Sequence, residues 1–91
     1  MYKITKYTYD KAKKIGVKVK PSTRKNKKID VYRDNKKIAS VGAYGMNDFP
    51  TYRIKYGDSY ALNRRKLYKM RHTKDRGKKW TNGWLADQLL W

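Results

Sequence analysis

Arg64, Arg65, Lys66, Lys69 and Arg71 crowd into one segment of the chain, DSYALNRRKLYKMRHTKDR, residues 58–76. Cationic side chains at this density suit one kind of chemistry, the binding of anions and of phosphate above all. The segment has no internal Gly or Pro, and good helix formers fill its middle, so its spacing predicts the longest helix of the protein. Asp58 and Ser59 are its N-cap candidates. Arg71, Lys74 and Arg76 suit the negative end of its dipole. At about 100° per residue, Tyr60, Ala61, Leu67, Tyr68 and Met70 gather on one broad side, with Arg65, Lys66 and Lys69 opposite. The acids of the segment stand at its ends. The basic face is therefore expected to lack an internal partner; a solvated surface helix is the ordinary reading of such a face, and the charge of the whole chain favours an external anion instead. Arg64 and Arg71 fall nearer the apolar side, where they either reach past it to solvent or pair with Asp75.

A second basic cluster, Arg24, Lys25, Lys27 and Lys28, lies in PSTRKNKK, residues 21–28, which reads as a mobile polar loop. An ordinary hairpin connection and a phosphate-contacting arm fit this composition equally well.

Catalytic chemistry finds little support. His72 is the single histidine, and a lone His among basic residues suits a surface position or a phosphate contact. No Ser or Thr stands in a nucleophile setting, and no Gly-rich phosphate cradle occurs. Asp30 and Asp48 would have to meet in space to bind a metal, and nothing in their spacing demands it. We expect no enzyme, no cofactor and no metal.

Bulk composition points the same way. The 91 residues carry 25 Lys plus Arg against 7 acids, a net charge of +18. A small soluble domain usually carries about 2–8 charges, and an excess this large destabilises the compact state by self-repulsion. A polyanion would relieve it, nucleic acid first and an acidic membrane surface second. All seven acids are Asp, and Lys outnumbers Arg 18 to 7. Lysine is a point charge, which favours phosphate contact over base reading. There is no Cys, hence neither disulfides nor thiolate metal sites. No apolar run approaches the roughly 18 residues of a membrane span, and MYKITKYTYD lacks the apolar stretch of a signal peptide. These features suit the cytosol, the nucleus or a particle assembled there.

The elements that must position these residues form a single expected domain, 1–91. Thr8 is the expected N-cap of a short helix, with Asp10 in its first turn, Lys13 and Lys14 in its last and Gly16 just past its end. Val17 to Lys20 alternate as a strand that Pro21 ends. Ile29 and Val31 alternate with Asp30 and Tyr32, Asp34-Asn35 suits a tight turn, and Lys36 to Gly42 return, giving a hairpin and a three-stranded meander. Pro50 fits the start of another helix, which Gly57 closes. Gly77 ends the long helix. Thr81 or Asn82 caps a last one, with Leu85, Ala86, Leu89 and Leu90 on one side. The fold class is α+β: a small three-stranded antiparallel sheet packed against two or three helices, covered by those within Pro50–Arg76 and by the C-terminal segment. Nine Tyr, three Trp and one Phe supply most of the bulky core. Trp84 and Trp91 suit core or interface, while Tyr32 and Trp80 are the better candidates for base stacking.

The motifs Tyr9-Asp10-Lys11-Ala12-Lys13-Lys14, Lys28-Ile29-Asp30-Val31, Lys36-Lys37-Ile38-Ala39-Ser40-Val41-Gly42 and Asp48-Phe49-Pro50-Thr51-Tyr52 occur in that order. Arg64-Arg65, Arg71-His72, Asp75-Arg76, then Gly83-Trp84 through Leu89-Leu90-Trp91 follow. Together they resemble a family of short basic proteins encoded by large nucleocytoplasmic DNA viruses of algae and amoebae. That family has no assigned biochemical activity, so the resemblance transfers no catalytic residue. It implies a setting: the virion, or the cytoplasm or nucleus of the infected cell. The function expected is non-enzymatic binding of nucleic acid, DNA before RNA, with little sequence preference, in condensation or packaging of a viral genome. The alternative is a minor capsid or cement protein whose charge seats it on acidic surfaces of larger capsid proteins.

Overall fold

The computed structural model describes residues 2–91. The architecture is α+β, with helices α1 (Lys6–Ile15), α2 (Phe49–Tyr56), α3 (Asp58–Arg71) and α4 (Asn82–Leu90) and strands β1 (Lys18–Pro21), β2 (Lys27–Arg33) and β3 (Lys36–Ala43). The strands form one antiparallel sheet in the order β1-β2-β3, the expected meander. The chain divides into two compact units, one up to Met46 and one from Asn47 to Trp91.

In the first unit α1 starts earlier than Thr8. Thr5 is its N-cap, and the Thr5 Oγ1 accepts from the Thr8 amide at 3.4 Å. Two threonines three apart both suit a cap locally, and the earlier one takes the role because Thr8 is wholly buried. Asp10 therefore lies mid-helix, where Lys6 Nζ meets it at 2.8 Å. Gly16 closes the helix at φ 81°, as its position foretold, and α1 packs against β1.

The β2–β3 hairpin turns on Asp34 and Asn35, at φ 52° and 64°. Two central residues in the left-handed region match the right-handed twist of the flanking strands. One face of the sheet is apolar, in the cross-strand rows Val19–Val31–Ala39 and Pro21–Ile29–Val41. Ile29 and Val31 are fully buried, each contributing about 1.5–3 kcal/mol through the water it leaves. The register shifts between Val31 and Tyr32: Val31 faces Ala39, but Tyr32 faces Lys37. Ile38 is the extra residue of a β-bulge. The bulge turns Lys37 onto the face that holds Asp30 and Tyr32. There Lys37 Nζ lies 3.3 Å from Asp30 Oδ2.

In the second unit Asp48 caps α2, its carboxylate accepting from the Thr51 amide at 3.0 Å, with Pro50 in the first turn. Gly57 ends α2 and begins α3 at φ 90°, ψ 170°, a backbone state that glycine adopts without strain. Neither Asp58 nor Ser59 caps α3. Asp58 is already helical and sits in its first turn. The helix ends at Arg71, short of Arg76, because side chains satisfy its last carbonyls. Thr73 Oγ1 donates to the carbonyls of Lys69 and Met70 at 3.0 and 2.9 Å, and Arg76 Nε donates to that of Lys69 at 3.1 Å. Thr81 caps α4 by accepting from the Trp84 amide. Leu85, Leu89, Leu90 and Trp91 are buried.

Candidate nucleic-acid interface

The basic residues of α3 do not form the outward face that helical periodicity suggests. Ala61 is fully buried, and Arg64, Arg65, Tyr68, Lys69 and His72 are half-buried along the same side. Tyr60, Leu62, Leu67 and Met70 are exposed instead. Internal partners explain the inversion. Lys69 Nζ meets Asp87 Oδ1 at 2.6 Å, and Asp87 is buried. Arg65 Nη1 donates to the carbonyl of Trp91 at 3.4 Å, and its guanidinium lies 4.4 Å from the centre of the Phe49 ring. The Arg64 guanidinium lies 5.3 Å from the Tyr52 ring centre. Arg65 and Lys69 thus have partners inside the second unit, a correction to the expectation of an unpartnered basic face, while Arg64, expected nearer the apolar side, lies over Tyr52. Lys66 and Arg71 are exposed and make no ion pair among the described residues. Asp75 is met by His72, whose Nδ1 lies 3.3 Å from its Oδ2.

Aromatic side chains complete that interior. Tyr68 stacks on Trp91 with ring centres 4.2 Å apart and planes 7° apart, and on His72 at 4.3 Å. Burial, with the Asp87 and Asp75 carboxylates, pushes the Tyr68 hydroxyl above its usual range against the opposing Arg71 charge. Trp80 packs on Trp84 at 5.0 Å, and Lys20 Nζ sits 5.3 Å over the Tyr32 ring. Neither of the two expected base-stacking residues presents an unengaged ring.

The loop of the first unit is shorter than expected, and side-chain and backbone hydrogen bonds tie it down. The connection between β1 and β2 is residues 22–26, shorter than the expected 21–28 because Lys27 and Lys28 already belong to β2. Lys28 is no loop cation: it is 3% exposed, with its ammonium 5.3 Å over the Tyr2 ring. Arg24, Lys25 and Lys27 do come together. With Tyr2, Ser22, Thr23 and Tyr44 they line an open depression of about 310 Å³. None of the three makes an ion pair among the described residues, and no carboxylate lines the hollow.

A buried polar network beneath the loop sets its shape. Asp30 Oδ1 accepts from Ser22 Oγ and from Ser40 Oγ, each at 2.6 Å. Ser22 Oγ in turn accepts from the Arg24 amide at 3.0 Å. The Ser22 amide donates to the Lys28 carbonyl, and the Tyr44 amide donates to the Asn26 carbonyl, both at 3.0 Å. Burial alone pushes the Asp30 carboxyl up. Hydrogen bonds from Ser22, Ser40 and Lys37, with the Lys37 charge, outweigh it and hold the group below its usual value. Sequence reasoning passed over Ser22, Tyr44 and the role of Asp30. The signal for the last was an acid between Ile29 and Val31 on a strand, where a buried charge requires partners.

No group of three metal-ligating side chains comes together among the described residues. No helix there is long and apolar enough to cross a membrane. Comparison with family models, with curated proteins and with solved structures gave no significant match.

Proposed function

We propose that the protein binds nucleic acid, DNA before RNA, with little sequence preference and without catalysis, in the condensation or packaging of a viral genome. One observation carries the reading: Arg24, Lys25 and Lys27 converge on an open hollow without a carboxylate, in a chain of net charge +18. Five of the seven acids that could quench such a surface are engaged elsewhere, while Asp34 and Asp58 stand exposed at the β2–β3 turn and the start of α3. Asp30, Asp48 and Asp87 are buried and hydrogen-bonded, and Asp10 and Asp75 have partners of their own. Exposed Lys66 and Arg71 add to the field, which attracts phosphate and displaces its condensed counterions.

The test is anisotropy of labelled duplexes of unrelated sequence across a salt series. With about six phosphates contacted, log K falls with log salt at a slope near −5. Changing Arg24, Lys25 and Lys27 together to Gln reduces that slope by about one unit per lost contact. Salt-insensitive binding, or none at about 50 mM salt, ends the proposal.

A second reading, a structural component of the virion shell, draws on the apolar side chains that α2 and α3 leave in solvent. Ile54 is 76% and Met70 64% exposed. If Ile54→Asp blocks incorporation into particles while the triple Gln variant binds DNA as before, this reading replaces the first.

A further inference from the structure

We infer that the hollow lined by Tyr2, Ser22, Arg24, Lys25, Lys27 and Tyr44 is a subsite for one unstacked nucleotide of a single strand. The inference rests on the nucleic-acid reading and goes beyond it, because phosphate contact alone would need no hollow and no ring.

Four observations carry it. The hollow, about 310 Å³, is at the small end of sites that hold a compact ligand. Its cations stand at one loop, where a phosphate would be met, and its two aromatic residues come from different segments, Tyr2 ahead of α1 and Tyr44 after β3. The ring of Tyr44 is half exposed and makes no stacking or cation contact among the described residues. It therefore differs from Tyr32, Tyr52, Tyr68 and Trp80, each of which is already engaged. Finally, the loop is held in place before any ligand arrives. The Asp30–Ser22–Arg24 chain ties its backbone from below, and the Tyr44 amide fastens the ring's own residue to Asn26. A preformed site loses less ordering entropy on binding.

Duplex DNA keeps its base faces inside the stack and offers this hollow only phosphates. A single strand offers a base face as well. A base laid on Tyr44 with its phosphate against Arg24, Lys25 or Lys27 uses both kinds of lining. The Ser22 hydroxyl already donates to Asp30, which leaves the Thr23 hydroxyl as the polar group for a sugar or base edge.

The experiment compares three probes at one salt concentration: a thymidine strand of about 16 nucleotides, an abasic strand of the same length, and a duplex. The wild-type protein is expected to bind the thymidine strand about 5- to 150-fold more tightly than the abasic one, the range for one stacked base. Tyr44→Leu should remove that preference and leave duplex affinity unchanged, while Tyr44→Phe should restore it. Equal affinity for the thymidine and abasic strands overturns the subsite and leaves phosphate binding standing. So does a Tyr44→Leu variant that weakens duplex and single strand alike. Failure of the wild-type protein to bind any of the three overturns the proposed function itself, and the subsite with it. The abasic comparison uses the unaltered chain, so it decides the matter even where a variant does not fold.

Discussion

Replacing Lys69 by Met separates a structural lysine from a ligand-binding one. Methionine keeps the length of the stem and has similar helix propensity, so the change removes little besides the ammonium. That ammonium lies 2.6 Å from Asp87 Oδ1, with the Asp87 side chain 4% and the Lys69 side chain 33% exposed. At an effective dielectric of about 20 the attraction at this distance is on the order of 6 kcal/mol. Dehydrating both ions offsets much of it. The larger effect of the substitution is the buried carboxylate left behind, which costs about 3–5 kcal/mol where a pair is fully enclosed. Lys69 retains a third of its exposure, so solvent screens part of that, and about 2–3 kcal/mol is expected. With a urea slope of roughly 1–1.5 kcal/mol per molar for a chain this small, the midpoint should fall by about 2 M. Lys66→Met is the control: Lys66 is exposed and unpaired among the described residues, and its loss should stay within about 0.5 kcal/mol. Adding Asp87→Leu to Lys69→Met removes the stranded charge and should recover most of the stability. The readout is urea denaturation near neutral pH, followed by circular dichroism. If Lys69→Met unfolds at the same midpoint as Lys66→Met, the pair does not form, and Lys69 returns to the set of free cations.

Two further outcomes follow from the packing. Asp30 has its carboxyl held below its ordinary value of 3.8, so its stabilisation is complete above that value and is lost as pH falls through the depressed one; Asp30→Asn should flatten the acid limb of a stability–pH profile and lower stability near neutrality, and an unchanged acid limb in thermal melts would contradict the network. Gly83→Ala should destabilise by about 1–3 kcal/mol, because a Cβ there would overlap the backbone carbonyl of Asp75; a raised denaturation midpoint would show that the turn after α3 gives way freely.

What could be read from the sequence was what neighbouring residues decide. Asp34-Asn35 announced its turn because two adjacent residues must both accept positive φ. Gly16 and Thr81 announced helix ends for similar reasons. The exposure of Arg24 and Lys25 was legible because a short polar loop between strands has nowhere to go but the surface. The facing of α3 was not legible, since its inward side is chosen by Asp87 and the Trp91 carbonyl, 18 and 26 residues downstream. Hydrophobic periodicity counts Leu67 and Met70 as inward candidates and cannot see a distant carboxylate that rewards a lysine more. Lys28 misled for a related reason: composition joined it to the loop, whereas the strand buries it.

The bulge at Ile38 gives the hairpin one position at which chain length is negotiable. Elsewhere in the sheet, gaining or losing a single codon would exchange the two faces of a strand and send Val31, Ile29 or their partners into water. Ile38 is passed over where the register shifts between Val31 and Tyr32, and it is 39% exposed. Deleting it would leave Ala39 opposite Val31 and Lys37 opposite Tyr32, with the Asp34-Asn35 turn intact. The straightened ladder would keep every inward side chain inward and Lys37 beside Asp30. Descendants of this chain that differ in length within β3 should therefore differ there, and the loop shaped by Asp30 would not register the change.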